Sequence, residues 1–243
     1  MRPPVSMNYV QKLVEDQVRK WNQMNRERPQ QVSPVITISR ELGSGGTELA
    51  KALAERLKLD LYGSRIIDEV AKSSKMSATV IGTLDEKGRS MLDDWISILE
   101  KERNIWGYEY LRHLVKVIGT IGKHGRAVIL GRGAHLILPK EDIFRVRVIA
   151  PMDVKIKNIK KELKISTEEA RKRIISVESE REAFIHKYFH QDIEDASQYD
   201  LIINTGYIDP VCAASVVIAA LYVSRKMARH IAVIKPTLTE LFR

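Results

Sequence analysis

Hydrophobic positions along this 243-residue chain change their period several times, and each change marks an element. Over residues 6–27, Val10, Leu13, Val14, Val18, Trp21 and Met24 recur at spacings of three and four. That is the stripe of an amphipathic helix, with Ser6 placed to cap it. Lys12, Arg19, Lys20, Arg26 and Arg28 fall elsewhere on the same stretch. The following "RERPQQVSP" is polar, holds two prolines and reads as a linker.

From there the pattern alternates. Val35 to Ser39, Leu59 to Tyr62, Ala127 to Leu130, Phe144 to Ala150 and Tyr199 to Asn204 are short apolar or β-branched runs, the predicted strands. Helical periodicity is expected from Thr47 to Leu57, from Ser64 to Lys72 and through most of 77–118. In that last stretch Leu92, Trp95, Ile96 and Leu99 share one face, as do Leu111, Leu114, Val115 and Ile118. A capping box, Ser166 with Glu169, opens a helix running through the 170s and 180s. Asp209 and Pro210 start a final helix as N-cap and first residue. Strands alternating with helices predict an α/β fold, a parallel sheet covered on both faces. The expected organisation is an N-terminal helix and linker over 1–33, one α/β domain over 34–230 and a tail over 231–243.

Composition narrows the function classes. Apolar residues make up 44% and charged residues 29%, ordinary for a soluble globular protein. A formal charge of +9 suits anionic partners and equally a solvated basic surface, so charge alone does not decide. The single cysteine, Cys212, rules out an internal disulfide framework and a cysteine-rich zinc site. Its apolar surroundings suggest a buried small hydrophobe. Val211 to Val223 is too short for a bilayer, where about 20 residues are needed, and the N-terminus carries no apolar secretory core. These features lead to the expectation of a cytoplasmic protein without a membrane partner. Aromatics, at 6%, are not interleaved with basic residues as a single-strand platform requires, so no stable nucleic acid partner is expected.

Candidate chemistry sits where strands run into glycine-rich turns. "ISRELGSGGTELAKALAERL" spans Ile38 to Leu57. Against the phosphate loop G-x-x-x-x-G-K-[ST], Gly45 takes the second glycine slot and Thr47 the hydroxyl slot. The lysine slot holds Gly46 and the first glycine slot holds Arg40. Gly43, Gly45 and Gly46 would let backbone N–H groups converge on an anion at a helix N-terminus, although close packing of helix on strand also uses glycine. Arg40 would neutralise phosphate charge or pair with Glu41 or Glu48. Thr47 would reach a magnesium ion or merely cap its helix. In "AVILGRGAHLIL", Arg132 stands between Gly131 and Gly133 at a strand end. In "RKRIISVESEREAFIHKYFH", Arg171, Arg173, Arg181 and Lys187 fit either a lid that closes over phosphates or a charged, solvated helix. His186 and His190 lack a third ligand and read as surface or packing residues.

These stretches, with "IIDEVA", "LDEKGRS", "RVRVIAP" and "YDLIINTG" in the same order, resemble the cytidylate kinase-like family of P-loop nucleoside monophosphate kinases over about residues 34–222. The resemblance implies a three-layer P-loop NTPase-type fold with a five-stranded parallel sheet, and a lid near 155–190. It implies ATP and Mg2+ as cofactors and nucleotides as substrates. Gly43, Ser44, Gly45, Gly46 and Thr47 would wrap the donor phosphates, with Thr47 on the metal and Lys155 assisting where arginine is usual. Arg40, Arg132 and Arg181 would act catalytically, Arg132 on the acceptor phosphate and Arg181, followed by Glu182, from the lid. Gly133 and Gly63 stand where the family commonly carries aspartate, so the resemblance specifies the acceptor less closely than the fold. A magnesium-dependent kinase acting on CMP or a related nucleotide leads. A non-catalytic nucleotide-binding module and a kinase with another small acceptor are the alternatives. The N-terminal helix adds the expectation of a homodimer.

Overall fold

The computed structural model describes residues 6–27, 34–103 and 109–224. Most of the expected linker and the tail over 231–243 lie outside the described residues, as do the side chains of Trp95 and Leu99. In chain order the elements begin with α1 (Met7–Glu27), β1 (Val35–Arg40), α2 (Gly46–Arg56) and β2 (Asp60–Gly63). Four helices follow: α3 (Ser64–Lys72), α4 (Ser74–Ile81), α5 (Glu86–Arg103) and α6 (Glu109–His124). Then come β3 (Ala127–Leu130), α7 (Ala134–Ile137), β4 (Ile143–Ile149), α8 (Met152–Leu163) and α9 (Thr167–Phe189). A short 3-10 turn, Ala196–Gln198, precedes β5 (Leu201–Asn204) and α10 (Pro210–Val223). The chain divides into two compact units, Met1–Ser33 with Tyr62–Gly125 and Pro34–Leu61 with Arg126–Arg243.

The second unit carries the sheet, in the order β2-β3-β1-β4-β5. β1 pairs in parallel with β3 and β4, and β4 with β5. The expected parallel five-stranded sheet flanked by helices is therefore present. Side chains alternate across it with the pleat. One face presents Ile36, Ile38, Val128, Phe144, Val146 and Val148 to Leu49 and Leu53 of α2 and to Val217 and Leu221 of α10, all buried in one core. The other face of β1 and β4 is different. Thr37 and Ser39 stand beside Arg145 and Arg147 in register, and all four are buried.

Two local readings change. Tyr199 closes the 3-10 turn instead of opening β5. Cys212 is exposed, because α10 packs through Ala213, Ala214, Val217, Ile218 and Leu221 and leaves its third residue on the solvent side. Among the described residues no helix is long and apolar enough to cross a membrane.

The first unit is helical. The stripe of α1 is used inside it: Val10, Val14 and Trp21 are buried, with α1 against α3 and α4. The apolar stripe of α1 is thus covered within the unit. Trp21 stacks on His124 with ring centroids 4.2 Å apart, and Thr83 Oγ1 lies 2.8 Å from His124 Nε2. Burial holds the imidazole neutral and lowers its pKa from 6.5 to about 4. The neutral ring is the folded form, so the unfolded chain takes up the proton first as pH falls. Stability is full above pH 6.5 and declines between there and about pH 4, by a few kcal/mol from this group. His124→Phe, which keeps the stack and removes the titration, is expected to flatten the pH dependence of the urea midpoint across that window.

Candidate functional site

Every side chain of the site belongs to the sheet-bearing unit, at the carboxyl ends of β1, β3 and β4 where ligands of such sheets bind. β1 ends at Arg40, and Glu41 N–H donates to Val148 O at 3.0 Å, which keeps the start of the turn on β4. The turn is braced from below. Ser44, fully buried, donates through Oγ to Glu41 O at 2.9 Å, and Thr205 Oγ1 donates to Ser44 O at 2.7 Å. Asn158 Nδ2 of α8 donates to Gly43 O at 2.8 Å. Left-handed backbone at Gly43 and Gly45 (φ +83° and +74°) turns the chain into α2. Gly45, not Thr47, is the N-cap, and no side chain caps the helix. Thr47 is instead its second residue and half-buried. An uncapped first turn leaves N–H groups and a partial positive charge available to an anion.

Geometry explains the missing lysine. A Cβ on Gly46 would lie 2.6 Å from Arg40 Cβ and 3.0 Å from Arg40 Cγ. A side chain at position 46 and an arginine at position 40 compete for one volume. The Arg40 guanidinium runs on across Gly131, where a Cβ would collide with Nη1. The loop's cation therefore reaches from the glycine turn to the end of β3.

At that end three successive residues are left-handed: Gly131, Arg132 and Gly133, at φ +82°, +56° and +67°. Left-handed backbone is costly for arginine and concentrates at functional sites. Arg132 Cζ lies 5.5 Å from the centroid of the Phe184 ring on α9. A Cβ on Gly133 would stand 2.6 Å from Phe189 Cε2. An aspartate is excluded there as long as Phe189, itself buried, closes α9 onto the turn.

The capping box of α9 is present, with Ser166 Oγ accepting from Glu169 N–H and the Glu169 carboxylate accepting from Ser166 N–H. Three turns further along, Arg181 Nη1 donates to Arg40 O at 2.7 Å. Burial is the main reason the Arg181 guanidinium is held below its usual pKa; Glu178 opposes the shift, while repulsion from Arg132 and Arg147 adds to it. Lys155, expected among the donor-phosphate ligands, is buried with Nζ 3.1 and 3.2 Å from the Glu178 carboxylate and 3.1 Å from Glu41 Oε2. Glu41 Oε2 also accepts from Ala150 N–H at 3.0 Å. Lys155 thus ties the loop to α8 and α9. Arg171, Arg173, Glu182, His186, Lys187 and His190 are exposed on or just beyond α9. No group of three potential metal-ligating residues occurs among the described residues.

Sequence reasoning missed Arg147. The available signal was its position: a strand buried on both faces should be continuously apolar, yet "IFRVRVI" places two arginines on one face. They differ in their partners. Arg145 forms a buried pair with Asp200, Nε and Nη2 to the two carboxylate oxygens at 3.2 and 3.0 Å. Arg147, only 6% exposed, meets neutral groups: Nη1 donates to Ser39 Oγ at 2.8 Å, and Cζ lies 5.9 Å from the Tyr199 ring. His135 stacks on the same ring at 5.1 Å.

A backbone cradle ringed by guanidinium groups is suited to a polyanion such as a nucleotide phosphate chain. A magnesium ion fits on narrower terms. Thr47 offers one hydroxyl, so the remaining ligands would be phosphate oxygens and water, as this ion prefers.

Comparison with known proteins agrees with this chemistry. The profile of the cytidylate kinase-like family matches residues 35–207. A cytidylate kinase of Pyrococcus horikoshii is 32% identical over 77% of this chain and 88% of its own length. One of Methanosarcina barkeri is 28% identical over 70% of this chain and 86% of its own. An uncharacterized protein of Eubacterium ventriosum shares the fold, with a TM-score of 0.56 at 23% identity over 77% of this chain and 97% of its own.

Proposed function

The chain belongs to the cytidylate kinase-like family, and from that premise we propose that it transfers the γ-phosphoryl group of ATP to CMP or a related nucleoside monophosphate. The observation that carries this reading is the meeting of Arg40, Arg132 and Arg181 around one glycine turn. An oxygen of the acceptor phosphate bonds to the γ-phosphorus while the bond to the β,γ-bridging oxygen breaks, and ADP leaves. No protein nucleophile takes part, so catalysis is positioning and charge neutralisation. In this reading the N–H groups of Gly43 to Thr47 hold the donor phosphates. Arg40 lies along the path of transfer, Arg132 holds the acceptor and Arg181 closes from the lid over 155–190, excluding water. A magnesium ion bound by the donor phosphates and Thr47 would neutralise charge on the β- and γ-oxygens. Lys155 positions the loop through Glu41 and Glu178 and does not itself touch phosphate.

One observation favours a second reading, a nucleotide-binding module without turnover: the residue that normally reaches the β- and γ-phosphates is Gly46, and Lys155 is already held by two carboxylates. Calorimetry with ATP, followed by a coupled ADP-release assay with Mg2+ and each nucleoside monophosphate, separates the two. ADP formation that depends on an acceptor is expected. ATP binding with no acceptor-dependent ADP would leave the module. A cytoplasmic location goes with either reading.

A further inference from the structure

Arg147 is a buried cation without a counter-ion among the described residues. Two residues earlier on the same strand face, Arg145 has a carboxylate on both arms of its fork. Among the described residues Arg147 makes no ion pair, and its partners there are a hydroxyl and an aromatic ring. Burying a charge without an opposite charge is unfavourable, so a protein that keeps one there gains something from it. Its neighbours indicate what. Ser39, which accepts from Arg147, immediately precedes Arg40, whose carbonyl accepts from Arg181. Phe184, which Arg132 overlies, is one turn beyond Arg181 on α9. The guanidinium groups of Arg132, in the turn after β3, and of Arg147, on β4, both lie close enough to Arg181 on α9 to repel its charge.

We propose that Arg147, with Arg132 and Arg181, forms a subsite for a compact oxyanion, the phosphate of the phosphoryl acceptor. The acceptor half of this assignment rests on the kinase reading; anion binding by Arg147 does not.

The test uses the full chain, inorganic phosphate as probe and thermal unfolding as readout, so no turnover is required. A ligand that binds only the folded state raises the unfolding midpoint, and a rise is expected for the wild type at millimolar phosphate. Arg147→Met is expected to weaken phosphate binding by about tenfold or more, since a charge-assisted bond is lost. Without phosphate the same variant is expected to unfold at a higher temperature than the wild type, because the uncompensated charge is gone. A structural arginine would give the opposite result, so a Met variant that is less stable or fails to fold overturns the proposal. So does one that keeps the full phosphate response. Arg147→Lys, with the charge but not the fork, should retain part of the response. A non-hydrolysable ATP analogue, added first, separates the two phosphate sources. Continued phosphate binding supports the acceptor subsite, and displacement assigns the anion to the donor and overturns it. Failure of the kinase reading would instead show as absent ADP formation with the phosphate response intact.

Discussion

Gly46→Lys, which restores the lysine of a conventional phosphate loop, is expected to weaken ATP binding and stability in this chain. Nothing in the backbone of residue 46 forbids a side chain, since it is the first residue of a regular helix. The obstacle is the 2.6 Å separation between its would-be Cβ and Arg40 Cβ. Forcing both side chains into that volume displaces α2 or Arg40, at a cost of about 1–3 kcal/mol as for other overpacked sites. ATP affinity should fall by about tenfold as the turn loses its shape. Arg40→Ala would not relieve the clash, because the offending atom is the Cβ itself. Arg40→Gly does relieve it, so Arg40→Gly with Gly46→Lys should recover much of the loss. Urea unfolding and ATP calorimetry on the two single variants and the pair form a double-mutant cycle, with a coupling of about 1 kcal/mol or more expected for residues in contact. Additive effects would mean that the two positions do not exchange one cation for another.

The second large effect concerns Arg132. Its left-handed backbone, its place between two left-handed glycines and its stacking over Phe184 fix the guanidinium at the end of β3. In phosphoryl transfer, loss of one cation that meets the transition-state charge costs about 10³-fold or more. Arg132→Gln, which keeps a polar hydrogen-bonding head but removes the charge, is expected to lower acceptor-dependent ADP formation by about that factor. ATP affinity should change little if, as proposed, the donor phosphates rest on the turn after β1. Steady-state kinetics with each nucleoside monophosphate, beside ATP calorimetry, reads both. Unchanged turnover with every acceptor would remove Arg132 from the catalytic group.

Much of the fold could be read from periodicity. Short apolar runs and stripes at period 3.6 are local properties, so the five strands, the helix from Ser64 to Lys72 and the helix opened by Ser166 were legible. What was not legible lay where neighbours decide. Cys212 lies in an apolar run, but which face of α10 is buried depends on α2 and the sheet. Thr47 resembles a cap, yet the left-handed Gly45 starts the helix one residue earlier. Lys155 matches a phosphate ligand by position, and only Glu41 and Glu178 reveal that its charge is already held.

The same division runs through the site. Order and spacing of residues were enough to show that glycine turns follow β1 and β3, that Arg40 and Arg132 stand in them, and that a basic helix lies downstream. It took the folded arrangement to show that Arg40 fills the volume of the absent lysine, that Phe189 crowds out an aspartate at Gly133, and that Arg147 is buried with no carboxylate partner among the described residues. Each of those depends on distances between atoms far apart in the chain. Close packing turns such distances into a choice of residue, because two side chains cannot share one volume and a buried charge needs an opposite one.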